Sequence, residues 1–277
     1  MQDETRPFPR PARITTDPPR SPAQRAGDAE LYETIAPLYH LVYTDWEESM
    51  RRQAAALDGI IREAMGAGPF SILDVSCGIG TQSLGLARLG HGMTASDLSP
   101  AAVNRARDEA ARRGLTIDFS IADMRRCGDR HTRHFDVVLS ADNSIPHLLS
   151  DKDLLAAFRG FYACTRPGGA TLLTVRDYAR EDRAASQIRP YGIRVTDAGR
   201  YIVFQCWEFD GDYYDVTMYF LFEGAGGERT ITAGRSRYYA VDIDTLVALL
   251  RRAGFVDTQR LDGRFFQPVL LARRAAL

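Results

Sequence analysis

Ile72-Leu73-Asp74-Val75-Ser76-Cys77-Gly78-Ile79-Gly80-Thr81 is the stretch on which the reading of the chain turns. Ile72 to Val75 favour a buried strand and carry one acid, Asp74. Ser76 to Gly80 form a small-residue turn, and from Gln82 onward the pattern is helical. A strand, a tight glycine turn and a helix N-terminus together present backbone N–H groups to a polar or anionic ligand portion. Gly78 and Gly80 permit positive φ and let a ligand approach where a Cβ would block it. Roughly 20 residues further on, Asp97 closes the short strand Gly92 to Ser96, placed to accept hydrogen bonds from a ribose. These features predict a nucleoside-cofactor site.

Outward from this stretch, strands and helices alternate. Ser99-Pro100 is an N-cap and first-turn pair that starts a helix running to Arg113, and Gly114 stops it. Strands are expected at Ile117 to Ile121, His134 to Ser140 and Ala170 to Val175, with a helix over Asp151 to Cys164. Such alternation implies a doubly wound, mostly parallel sheet with helices on both faces and ligands beyond the strands' C-terminal ends. Between Arg176 and Ala240 the texture changes. Tyr201 to Phe209 and Tyr213 to Phe222 flank Asp210-Gly211-Asp212, a strong hairpin signal, and Glu228 to Tyr239 is a third strand-like run. A helix over Asp242 to Arg252 and strands at Val256 to Leu261 and Val269 to Ala272 then complete a seven-stranded core.

Upstream, residues 1–27 are rich in Pro, Arg, Asp and Thr and read as a disordered tail. Residues 28–66 read as an N-terminal helical lid. Tyr32, Tyr39, Tyr43 and Trp46 load its first part with amphipathic rings, and Trp46 to Met65 is one amphipathic helix. Glu33, Glu47 and Glu48 read as solvated helix charges. The remaining divisions are a cofactor-binding core over 67–176, a β-rich insertion over 177–240 on the substrate side, and completion of the core over 241–277.

The bulk numbers narrow the function classes. A 277-residue chain with formal charge −1 has no general attraction to nucleic acid or anionic membrane. No apolar run reaches the roughly 18 residues of a membrane span. Four widely separated cysteines without a Cys-x-x-Cys pair fit a reducing cytoplasm, and five histidines without ligand spacing predict no metal. Ser76 and Ser83 fall where a nicotinamide-binding loop needs glycine, which disfavours NAD.

What the pattern resembles is the class I S-adenosylmethionine-dependent methyltransferases. Asp74 to Gly80 is similar to their motif Asp/Glu-x-Gly-x-Gly-x-Gly, with Ser76 in place of the first glycine. Asp97 matches the ribose acid and Ala122-Asp123-Met124 the adenine-contacting turn. Phe135-Asp136-Val137-Val138 and Arg166-Pro167-Gly168-Gly169 resemble two later motifs in the right order. Within that class the likeness is to the glycine/sarcosine N-methyltransferases and related small-molecule enzymes. Asp142-Asn143-Ser144-Ile145-Pro146-His147-Leu148 resembles their Gly-Asn-Ser-x-x-His-Leu loop. Leu173 to Tyr178 resembles the segment in which an arginine, here Arg176, holds a substrate carboxylate.

The resemblance implies a Rossmann-like core with S-adenosyl-L-methionine as cofactor. It implies Arg52, Asp74, Ser76, Gly78, Gly80, Asp97, Leu98, Asp123, Met124 and Asp142 around the cofactor. His147, Tyr32, Arg176 and Asn143 fall on the catalytic side. The expected reaction is direct in-line methyl transfer to a small molecule. The acceptor is either an amino-acid-like amine or an indole or other aromatic of secondary metabolism, methylated at N or C. The alternatives are O-methylation of a natural product and, further off, a nucleic-acid methyltransferase or a non-catalytic nucleotide-binding protein. A homodimer is the expected assembly.

Overall fold

The computed structural model describes residues 27–131, 133–183 and 186–276. The expected tail lies outside the described residues except for Gly27, which opens the first helix, α1 (Gly27–Ile35). A 3₁₀ turn over Tyr39–Val42 follows, then α2 (Trp46–Met65). Asp45 caps α2 by accepting the Glu48 N–H at 2.9 Å, and Gly66 ends it at φ +90°.

From there the chain runs β1 (Ser71–Asp74), α3 (Thr81–Arg88), β2 (Gly92–Asp97), α4 (Pro100–Arg112), β3 (Asp118–Ile121), a single turn α5 (Cys127–Arg130), β4 (Phe135–Ser140), α6 (Asp151–Cys164) and β5 (Thr165–Thr174). After a second sheet, α7 (Ile243–Ala253), β10 (Val256–Leu261) and β11 (Val269–Arg273) return to the core. The seven strands lie in the order β10-β11-β5-β4-β1-β2-β3. β3 to β5 pair in parallel and β11 inserts antiparallel between β5 and β10. Strand order reverses between β1 and β4, the switch point where such sheets bind ligands.

Period-2 alternation sends neighbours to opposite faces. Leu73, Val138 and Leu173 pack with α6 and α7, whereas Ile72, Val137, Leu139 and Leu172 pack under α2 and α3. This corrects one expectation. Ala54, Leu57, Ile60 and Ile61 of α2 are buried against the sheet, so α2 is a core helix and not part of a lid. A wide apolar stripe on a 20-residue helix is better satisfied by the sheet than by a movable cover.

The insertion is a four-stranded antiparallel sheet in the order β6-β7-β8-β9, one strand more than expected. Its members are β6 (Gln187–Thr196), β7 (Gly199–Asp210), β8 (Tyr213–Gly224) and β9 (Arg229–Tyr239). The unforeseen strand is β6, an edge strand whose Pro190 and Gly192 straddle a register shift and erase the alternation that marks a strand. α1 seals the insertion to the core. Leu31 and Ile35 pack with Val203, Met218 and Phe220, and a Cβ on Gly234 of β9 would fall 2.3 Å from Leu31. Glu33 is exposed as expected, and its carboxylate also accepts Ser99 Oγ at 2.7 Å and the Ala101 N–H at 3.0 Å, tying α1 to the start of α4. Glu47 likewise pairs with Arg88 and Arg113.

Candidate active site

Two cavities meet beyond the C-terminal ends of β1, β2, β4 and β5. The first is built on the β1–α3 turn. Gly78 sits at φ +52° with open space where a Cβ would stand, so the cavity reaches the backbone there. The Gly78 N–H donates to Asp97 Oδ2 at 2.9 Å and the Ser99 N–H to Oδ1 at 3.0 Å, which holds the Asp97 carboxylate at the cavity wall. Ser76, Leu98, Asp123 and Met124 also line this cavity. A hydroxyl-accepting carboxylate, an unobstructed glycine turn and an apolar slot ending at Met124 suit a nucleoside.

Two residues expected around the cofactor do not line either cavity. Asp74 is fully buried beneath the turn, where Oδ2 accepts Ser83 Oγ at 2.6 Å and Oδ1 the Ser76 N–H at 3.2 Å. It shapes the turn from below, and burial pushes its carboxyl up to about 7. Gly80 is the N-cap of α3 at φ +94°, packed against Leu84 and Ala106. A third, Arg52, stands on the exposed side of α2 and lines the other cavity.

The second cavity, about 810 Å³, opens between the β4 and β5 ends and the inner face of the insertion. Tyr32, Tyr39, Tyr43 and Asp142 line both cavities and form the partition. Burial lifts the phenols of the three tyrosines well above their ordinary range, so they are neutral donors. Asp142 accepts the Tyr43 hydroxyl at 3.2 Å and Gln267 Nε2 at 3.4 Å. Behind it, the Asp142 N–H donates to Thr174 Oγ1 at 2.7 Å, and that hydroxyl donates to Gln267 Oε1 at 2.9 Å.

Asn143 lies beside it in the second cavity. Its Oδ1 accepts the Arg176 N–H at 2.9 Å and its Nδ2 donates to Tyr178 Oη at 2.7 Å, which is 2.6 Å from Tyr214 Oη. Asn143 thereby couples β4 to β5 and to β8. His147 lines the first cavity between Tyr32 Oη (3.4 Å from Nε2) and Ser236 Oγ (3.1 Å from Nδ1), with the Tyr238 ring centroid 4.2 Å away.

Arg176 reaches the second cavity already engaged. Its guanidinium lies 4.4 Å from the Trp207 ring centroid and pairs with Glu181 at 3.4 Å, while Nε is buried without a partner. Arg189 lies over the same ring at 3.8 Å and pairs with Glu181 too. Arg189 and Tyr191 escaped the sequence reading because both belong to β6. Gln267 escaped because only the antiparallel return of β11 brings it to β4. The aromatic density of residues 201–222 was the one available signal for Trp207.

Residues 72–169 match the family described as Methyltransferase domain. The chain carries a class I, S-adenosylmethionine-dependent methyltransferase domain. Its first cavity lies at the β1–α3 turn and β2 end of this matched segment. The chain is 32% identical over 145 residues to a glycine/sarcosine N-methyltransferase of Parasynechococcus marenigrum, covering 52% of this chain and 50% of that one. A second such enzyme, from Halorhodospira halochloris, is 28% identical over 135 residues. The chain spans about half the length of these curated relatives (50% and 49%).

Among solved structures it is similar to Streptomyces venezuelae DesVI, with TM-score 0.76 and 18% identity over 87% of this chain and 98% of that one. It is also similar to CalS10, an amino pentose methyltransferase from Micromonospora echinaspora, with TM-score 0.71 and 19% identity over 82% and 92%. At such identities these likenesses establish the fold, a Rossmann-like methyltransferase sheet with an added antiparallel one. Among the described residues no helix is long and apolar enough to cross a membrane.

Proposed function

We propose that this chain transfers a methyl group from S-adenosylmethionine in the first cavity to a small-molecule acceptor in the second. The observation that carries this is the shared wall of Tyr32, Tyr39, Tyr43 and Asp142, which borders both cavities at one place. Asp97 would hold the ribose, Gly78 would let the donor lie against the backbone, and the turn at Asp123 and Met124 would receive the adenine. The donor supplies a sulfonium-bound methyl with a neutral thioether leaving group.

What remains for the chain is to align two reactants and exclude water, and alignment alone supplies roughly 7–11 kcal/mol in favourable cases. The three half-buried tyrosines and α1 cover the junction. His147 and Ser236 hold the Tyr32 ring from behind. Asn143 locks the β4 and β5 ends in register, so that Asp142 and Arg176 face the same space.

The acceptor fits a metabolite larger than a simple amino acid. A cavity of about 810 Å³ walled by Trp207, Tyr191, Tyr214 and Phe266 suits a ring, and the Arg176–Arg189 pair suits an acidic or electron-rich substituent. Resemblance to glycine/sarcosine N-methyltransferases supports nitrogen as the methylated atom. A screen of ring-bearing amines, amino acids, indoles and phenols with labelled methyl donor tests this. Label on ring-bearing amines supports it, and label confined to phenols or to nucleic acid overturns it.

A further inference from the structure

Asp142 is held in a state that its packing does not require. It and Asn143 follow β4 with φ of +55° and +62°, two consecutive non-glycine residues in the left-handed region. That conformation is uncommon for residues with a Cβ, and it persists where the surroundings over-determine it, often at functional sites. For Asn143 the bonds to Arg176 and Tyr178 account for it. For Asp142 the backbone N–H to Thr174 fixes the conformation, but the carboxylate gains only the Tyr43 hydroxyl and a long contact from Gln267. Glycine at 142 would relieve the backbone at no loss to the turn.

The carboxylate is also half-buried at the wall of both cavities and has no ion-pair partner of its own. Tyr32, Tyr39, Tyr43 and Tyr191 face it electrostatically, and the cation that acts on it is Arg176, whose ion pair is with Glu181. Its carboxyl is pushed above the ordinary range by that burial. Carboxylates withdrawn from water are normally paired, and this half-buried one borders both cavities at the point where methyl would pass. The missing partner is therefore a cation that arrives there with a ligand.

We infer that Asp142 binds the acceptor's protonated amine and takes its proton before methyl transfer, so that the acceptor is an amine. This rests on the two-cavity reading above and assigns Asp142 to the acceptor rather than to the donor. The N–H bond of the ammonium breaks as an O–H bond forms on Asp142. The freed lone pair then makes the N–C bond while the donor's S–C bond breaks, and the positive charge passes from sulfur to nitrogen. The proton leaves Asp142 to water when the product departs.

Calorimetry with two donor analogues tests this without the acceptor. Sinefungin carries an ammonium where the donor carries its methyl, and S-adenosylhomocysteine carries nothing there; both keep the donor's own amino group. Wild type should bind sinefungin at least tenfold more tightly than S-adenosylhomocysteine. Asp142→Asn should remove that preference, weakening sinefungin about tenfold and leaving S-adenosylhomocysteine within twofold, which also shows that the variant is folded. Asp142→Gly should behave alike and melt at a higher temperature. Equal loss of both analogues in Asp142→Asn overturns the inference and returns Asp142 to the donor's own amino group. Sinefungin preference that survives in both variants overturns it as well. Binding of neither analogue by wild type overturns the donor reading itself.

Discussion

The Tyr32 hydroxyl stands 3.4 Å from Nε2 of His147, and this contact joins α1 to the loop after β4 across 115 residues. Tyr32 lines both cavities and His147 only the first. Tyr32→Phe keeps the ring against Tyr39 and His147 and removes the hydroxyl that this side chain brings to the junction. Its expected effect is a drop in kcat of about tenfold, with donor affinity unchanged. Steady-state kinetics beside calorimetry of donor binding would separate the two, and a pure loss of donor affinity would assign Tyr32 to the first cavity alone.

Asp97 receives the Gly78 and Ser99 N–H groups and faces the first cavity. Asp97→Ala removes the ribose acceptor and releases the glycine turn together. Donor affinity should fall by a factor of ten to a hundred, consistent with a charged hydrogen bond worth about 1.5–3 kcal/mol. Calorimetry on S-adenosylhomocysteine measures it, and an unchanged Kd would show that the nucleoside lies elsewhere.

Asp74 carries a stability signature. Its carboxyl is raised by burial from an ordinary value of 3.8 to about 7. The native protein therefore keeps a proton that the unfolded chain has already released, and stability falls as pH rises between about 4 and 7. Asp74→Asn, which stays neutral, should flatten part of this fall and melt higher than wild type at pH 8 but not at pH 4. Thermal melts across that range decide the matter; parallel curves for the two proteins would mean that Asp74 is ionised throughout.

Arg176 and Trp207 line the second cavity. Arg176→Lys loses planar stacking on Trp207 and the fork toward Glu181 while keeping the charge. For an acidic acceptor the KM should rise about tenfold with kcat little changed. For a neutral acceptor KM should hold. The split between the two classes of acceptor is the readout.

Gly85 of α3 lies under α2. A Cβ there would fall 2.7 Å from Ala54 Cβ and 2.8 Å from the Met50 carbonyl. Gly85→Ala should destabilise the protein by about 1–3 kcal/mol despite its better helix propensity, because the backbone of α2 has to move. Chemical denaturation would show a lower midpoint; a higher one would contradict the seating of α2 on the sheet as a core helix.

Local sequence determined much of this protein. The seven core strands, the helices between them, the glycine turn with Asp97 and the Asp123–Met124 turn were all legible, since each depends on short-range periodicity, caps and turn chemistry. The Asp142–Leu148 loop was legible only through its resemblance to the Gly-Asn-Ser-x-x-His-Leu loop of the glycine/sarcosine N-methyltransferases. What local signals lack is any statement of which cavity a residue enters. Asp74 went beneath the turn, Gly80 became a packing cap, and Arg52 went to the acceptor side, because strand alternation and the packing of α2 dictate direction. Strand β6 was hidden by its own proline, glycine and register shift. The acceptor cavity is assembled from β4, β5, β6, β7 and the approach to β11, so Asp142, Arg176, Tyr191, Trp207 and Gln267 meet only through pairing between distant segments. The first cavity is written in one contiguous turn and its neighbours; the second exists only once the second sheet has closed over the first.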